Sequence, residues 1–201
     1  VFDWGYGELK EETGPDEWQT KILKYIALNI LTLNQALQIA MRSGTETGKT
    51  ALIAWLILWY MSTRKDSHIV VTANTSAQLE KKTWRELAKW HKLSINSHWC
   101  TWTATKFYNN AHPATWFAEA QPWSEENSQA FAGTHDKYVM MIFDEASEIP
   151  DVIWEVAEGA ASKPGHLWVV FGNPSRNTGR FADCFKKYRN RWHCMEIDAR
   201  Q

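Results

Sequence analysis

Short, largely apolar runs alternate with amphipathic stretches along the chain. Ala36 to Met41, His68 to Ala73 (HIVVTA), Tyr138 to Phe143 (YVMMIF) and Leu167 to Phe171 (LWVVF) have the length and β-branched or aromatic content of strands buried on both faces. Helical periodicity fills the spaces between them. A first helix is predicted to start after Gly14-Pro15, with Trp18, Ile22, Tyr25 and Ile26 on one face. Lys49 to Met61 reads as an apolar helix. Thr75 or Ser76 caps a long helix to about His91, with Leu79, Thr83, Leu87 and Trp90 on one side. Shorter helices are predicted for Pro150 to Ala160 and Gly179 to Tyr188. Residues 99–120, rich in Thr and aromatics and broken by Asn109-Asn110 and Pro113, read as antiparallel strands or a hairpin. Apolar strands alternating with helices predict an α/β fold, a mainly parallel central sheet flanked by helices.

Composition narrows this picture. The 201 residues suffice for one domain with a real core, and 44% hydrophobic with 22% charged residues excludes a disordered chain. The longest apolar run, Ala51 to Met61, is too short to span a bilayer, and Val1 to Gly14 is acidic and lacks the apolar core of a signal peptide. Three cysteines without a CxxC argue against a disulfide framework or a Cys-rich zinc site. Thirteen tryptophans are expected mostly in the core, not on a base-stacking platform. The chain has no initiator Met and ends abruptly, as a fragment would. A net charge of -1 conceals two basic segments, residues 63–92 and 176–201, each with seven Lys or Arg against three acids. They are candidate phosphate-contacting faces, or simply solvated helix surfaces.

The sharpest chemical signal is Ser43-Gly44-Thr45-Glu46-Thr47-Gly48-Lys49-Thr50 between a predicted strand and helix. Gly44 and Gly48 let the backbone turn so that N–H groups face phosphate oxygens, and the helix N-terminus adds partial positive charge. Lys49 can reach the β- and γ-phosphates, and Thr50 offers a hydroxyl to Mg2+. Ser43 replaces the usual first glycine. Glu46 puts an acid where anions bind, so its side chain is expected to point away. The second signal is Asp144-Glu145 closing an apolar strand, at the sheet edge where ligands of open α/β folds sit. Asp144 would hold Mg2+, and Glu145 would take a proton from attacking water. Phe171-Gly172-Asn173-Pro174 ends another strand; its amide could sense a γ-phosphate, or the segment is an ordinary turn. Gln19 could read an adenine edge or be a polar position on an amphipathic helix. Arg42 abuts the phosphate loop and could act as a catalytic cation in cis, with Arg85, Arg176 and Arg180 as alternatives; each taken singly fits a surface salt bridge better.

Together SGTETGKT, IFDEAS, FGNPSRNTGRF and the upstream PDEWQ resemble the ATPase domain of the large terminase subunit of tailed bacteriophages. The segments WRELAKWH, QPWSEENSQAFAGTH and IPDVIWEVAEGA fit the same resemblance, which runs from about Pro15 to about Asp198. It implies a motor that hydrolyses ATP, with Mg2+, to drive double-stranded DNA into a procapsid in the bacterial host cytoplasm. The implied partners are the portal protein, the small terminase subunit and further copies in a ring. Gln19 then matches an adenine-sensing glutamine. Ser43, Gly44, Thr45, Glu46, Thr47, Gly48, Lys49 and Thr50 match the phosphate loop, Asp144 and Glu145 the metal-binding acid and catalytic glutamate, and Asn173 the coupling segment. The implied fold is a P-loop NTPase of the additional-strand, catalytic-glutamate type. A helical segment with the adenine motif (1–34) would precede one ATPase core (35–201). Such subunits usually carry a C-terminal nuclease domain, expected to be absent here. The alternatives are another P-loop translocase or helicase, and a nucleotide-gated DNA- or partner-binding module without useful hydrolysis.

Overall fold

The computed structural model describes residues 1–12, 14–44, 47–124, 128, 136–173 and 176–197. Among them the strands are β1 (Leu37–Ser43), β2 (Ser67–Thr72), β3 (Cys100–Trp102), β4 (Lys106–Asn109), β5 (Phe117–Ala120), β6 (Tyr138–Phe143), β7 (Leu167–Gly172) and β8 (His193–Ile197). They join in one sheet of order β3-β4-β5-β2-β6-β7-β1-β8. Pairing is parallel from β5 to β8 and antiparallel only where β3 and β4 extend the edge beyond β5. The helices are α1 (Glu17–Asn29), α2 (Lys49–Thr63), α3 (Ser76–Gln78), α4 (Arg85–Leu93), α5 (Asp151–Ala160) and α6 (Arg180–Cys184). A π-helical turn, Leu79–Trp84, fuses α3 and α4 into one rod over residues 76–93.

The continuous apolar strands are explained by two cores, one on each face of the sheet. Successive β6 and β7 residues alternate between them. Met140, Ile142, Leu167, Val169 and Phe171 join α1, α2 and α4, while Val139, Met141, Phe143, Trp168 and Val170 join α5 and α6. α2 is apolar on nearly every side because it is buried over most of its circumference. The tryptophans are mainly structural. On one face Phe143 meets Trp154 and Trp168, which in turn meet Trp192, at ring separations of 5.0–6.0 Å, and Trp4, Trp55 and Trp90 form a second cluster on the other.

Several boundaries differ from the sequence reading. β1 runs on through Arg42 and Ser43, because β7 and β8 flank it and their pairing with it continues there. β8 was not predicted; its short HCMEI run becomes a strand through pairing with β1. α6 stops at Cys184 instead of Tyr188. Beyond it the chain turns so that Phe185 lies under the Arg42 guanidinium and Tyr188 under that of Arg180. The π turn was also unforeseen. It lies where Thr83 and Trp84 are both fully buried, Trp84 donates its indole N–H to Thr103 O, and its own carbonyl accepts from the Trp102 indole.

Candidate nucleotide site

The parallel strands bring Ser43, Thr72, Phe143 and Gly172 to one edge of the sheet. β7 lies between β1, which leads into the phosphate loop, and β6, which leads into Asp144-Glu145. That is the additional strand expected between the two signals, and it carries Asn173 at its end.

Gly48 starts α2 at φ +79°, a left-handed conformation that favours glycine. A Cβ there would face the Gln19 side chain. Gln19 is buried in α1, where its Oε1 accepts from Asp16 N–H at 2.8 Å and its Nε2 donates to Gly48 O at 3.0 Å. The N-terminal helix is thereby tied to the phosphate loop. One Nε2 hydrogen and one Oε1 lone pair are left for a ligand. Ser43 is buried, and its hydroxyl donates to Gly44 O at 3.3 Å. Thr45 and Glu46 lie outside the described residues, as do Pro174 and most of the QPWSEENSQAFAGTH segment.

Burial draws the Lys49 ammonium below its ordinary value, and Asp144 and Glu145 oppose that shift by their charge. Burial likewise raises Asp144, against a hydrogen bond from Thr83 Oγ1 (2.9 Å) and the charge of Lys49. Glu145 sits at φ +60°, a left-handed backbone costing about 1–2 kcal/mol for a non-glycine residue. Its Oε2 accepts from Gln78 Nε2 at 2.6 Å. Both acids are thus held by the rod that follows β2.

Sequence reasoning missed Gln78 and Thr83. Thr83 left a trace as the polar member of an otherwise apolar helix face; Gln78 left none, because its role depends on where β6 ends. Among the described residues, Thr47 Oγ1, Thr72 Oγ1, Gln78 Oε1 and Asn173 Oδ1 are buried without a hydrogen-bond partner. Orphaned polar atoms at the end of β2, the end of β7 and in the phosphate loop fit a polar ligand bound across this edge.

The arginines sort themselves by their partners. Arg42 donates to Glu196 at 3.0 Å and stacks 4.0 Å over Phe185. Arg176 is paired with Glu148 and Arg180 with Glu158. Arg85, by contrast, lines a groove with Thr50, Lys81 and Lys82. Lys82 is near enough for its charge to act on both Lys49 and Asp144.

A phosphate loop opening α2, an acid pair ending β6 and a strand inserted between them define a P-loop NTPase fold of the additional-strand type. More narrowly, it is the fold of phage large terminase ATPase domains. The chain superposes on the large terminase of a thermophilic bacteriophage in complex with ADP with a TM-score of 0.67, at 15% identity, over 90% of this chain and 44% of that one. On the Thermus phage P74-26 large terminase ATPase domain the TM-score is 0.56, at 15% identity, over 90% of this chain and 85% of that one. In sequence it is similar to the probable terminase large subunit of Enterobacteria phage P7, 23% identical over 146 residues. That match covers 70% of this chain, but the chain spans only about 30% of the length of the relative. No protein-family model matches the chain.

Proposed function

We propose that this chain hydrolyses ATP and couples the reaction to movement of duplex DNA into a procapsid, as the ATPase domain of a large terminase subunit. The observation that carries the reading is the Lys49–Asp144–Glu145 constellation at the β1/β7/β6 edge, with Glu145 held by Gln78 and Asp144 by Thr83. The ADP and ATP-gamma-S complexes of the thermophilic bacteriophage terminase support a nucleotide as the ligand.

Each residue has a distinct part in this chemistry. Loop N–H groups from Gly44 to Thr50 and the Lys49 ammonium hold the β- and γ-phosphates. Gln19 offers its remaining donor and acceptor to the adenine edge. Thr50 and Asp144 would hold Mg2+, which when bound would neutralise charge on the phosphates. Glu145 takes the proton of the water that attacks the γ-phosphorus, while the bond to the ADP oxygen breaks. A positioned base of this kind contributes about 10²- to 10⁴-fold. The Gln78 hydrogen bond fixes which Glu145 oxygen faces the water. Asn173 Oδ1 is poised to meet the γ-phosphate end of the site, directly or through water. For Arg42 to act in cis it must first leave Glu196; Lys82 and Arg85 need no such release. Portal, small subunit and ring neighbours, and the host cytoplasm as place of action, follow from the same reading. No helix among the described residues is long and apolar enough to cross a membrane.

The test is phosphate release from Mg2+-ATP, with and without duplex DNA, for the wild type, Lys49→Ala and Glu145→Gln, beside binding of a fluorescent ATP analogue. Turnover lost in both variants, with binding kept in Glu145→Gln, supports hydrolysis. Tight binding without turnover above the Lys49→Ala control favours a nucleotide-gated module. No nucleotide binding overturns the reading.

A further inference from the structure

The two basic segments of the sequence have different fates in the fold. In the C-terminal one, Arg176 pairs with Glu148, and Arg180 and Arg191 both pair with Glu158, while Lys186 donates to Asn177 O. Those cations are largely consumed within the molecule. In the rod 76–93 the opposite holds. Its buried side carries Leu79, Thr83, Trp84, Leu87 and Trp90. Its exposed side lines a groove of about 670 Å³ with Lys81, Lys82, Arg85, Lys89 and Lys92, beginning beside Thr50 of the phosphate-loop helix. Glu86, the acid of that groove, accepts the Trp90 indole N–H at 2.7 Å. Lys89 reaches Glu12 at 3.5 Å, and among the described residues the other four cations form no ion pair.

We infer that this groove seats the phosphate backbone of duplex DNA, and that the same rod reports DNA contact to Asp144 and Glu145 through Thr83 and Gln78. The inference rests on the motor reading above and adds the surface and the route. From Lys81 to Lys92 the rod rises about 16 Å at 1.5 Å per residue. One DNA strand carries a phosphate every 3.4 Å of axis, so about five phosphates face that length. Five cations line it. The lining is too long for a triphosphate alone, and its mobile Lys side chains suit a repeating backbone without sequence readout. The route is short. Thr83 is flanked by Lys82 and Trp84 and bonds Asp144 at 2.9 Å; Gln78, at the start of the rod, bonds Glu145 at 2.6 Å. A small displacement of the rod on DNA binding therefore moves the donors of both acids together. The π turn, which begins after Gln78 and contains Thr83, is a place where the helical repeat can shift.

The experiment is a salt titration of a fluorescent duplex by anisotropy, with nucleotide affinity measured in parallel. Lys81→Gln/Lys92→Gln should weaken duplex binding on the order of tenfold and lower the salt slope by about 1.8, that is, two phosphate contacts at about 0.9 each. Affinity for Mg2+-ATP-gamma-S should not change, and Arg176→Gln should leave duplex binding intact. An unaltered slope in the double variant, or a wild type that binds no duplex, overturns the groove. If nucleotide binding persists in that case, the ATPase reading survives; if nucleotide binding is also absent, both fall. The route is read by linkage, since DNA and nucleotide must change each other's affinity by the same factor. The wild type should bind duplex with different affinity with and without Mg2+-ATP-gamma-S. That difference should vanish in Thr83→Val and in the half-buried Gln78→Leu, and persist in Thr83→Ser. A wild type without the difference, or one that keeps it in both Val and Leu variants, overturns the route.

Discussion

Gly48→Ala tests the tie between α1 and the phosphate loop. At φ +79° an added Cβ costs about 1–2 kcal/mol in backbone strain alone. The same Cβ would lie 2.8 Å from Gln19 Nε2, so the Gln19 amide must move. It is held by bonds to Asp16 N–H and Gly48 O. Disturbing both costs about 0.5–1.5 kcal/mol each. The total loss is then about 2–5 kcal/mol, from the strain and the two bonds together, measurable by urea unfolding at unchanged denaturant slope. The discriminating measurement is the double-mutant cycle with Gln19→Ala. With the amide gone the steric part disappears, and Gly48→Ala should cost only the strain of about 1–2 kcal/mol. The expected coupling of about 1–3 kcal/mol exceeds the roughly 0.3–0.5 kcal/mol scatter typical of independent sites, about which additivity is judged. Additive losses would refute the contact between Gln19 and the loop, and with it the proposed link between adenine and phosphate recognition.

Other outcomes follow from particular environments. Arg42→Ala should leave phosphate release within about threefold, since the guanidinium is engaged by Glu196 and Phe185, and such an exposed pair stabilises by only about 0–1 kcal/mol; a hundredfold loss would show that Arg42 leaves Glu196 during turnover. His166 is fully buried with its Nε2 donating to Lys137 O, and burial lowers its pKa. The unfolded chain therefore takes up the proton first, and stability falls as pH drops from 6.5 through the lower folded value. His166→Leu should flatten that acid limb in urea unfolding, and an unchanged limb would assign it elsewhere. Burial pushes the Cys100 thiol up to about 11, so its reaction with a thiol reagent at pH 8 should be far slower than that of an unfolded control.

Much of the local structure of this protein is written in its sequence. The apolar runs at β2, β6 and β7 could be read without a fold, because strands covered on both faces admit hydrophobic side chains at successive positions. The Ser43–Thr50 segment and the Asp144-Glu145 pair stood out for a related reason: each is contiguous, and the chemistry proposed for it calls for particular residue types at fixed spacing. What depends on contacts between distant segments was not legible. β8 exists because β1 offers it an edge, and α6 ends early because Phe185 and Tyr188 meet Arg42 and Arg180. Gln78 and Thr83 become holders of the acids only when the rod 76–93 packs beside the end of β6, 61 to 67 residues further along the chain. Charge behaved in the same way. Two segments with the same charge counts were indistinguishable as sequence, but the fold pairs three arginines of one with Glu148 and Glu158 and aligns the other along a groove leading from Thr50. Pairing energy depends on separation and burial, and only the tertiary structure sets those.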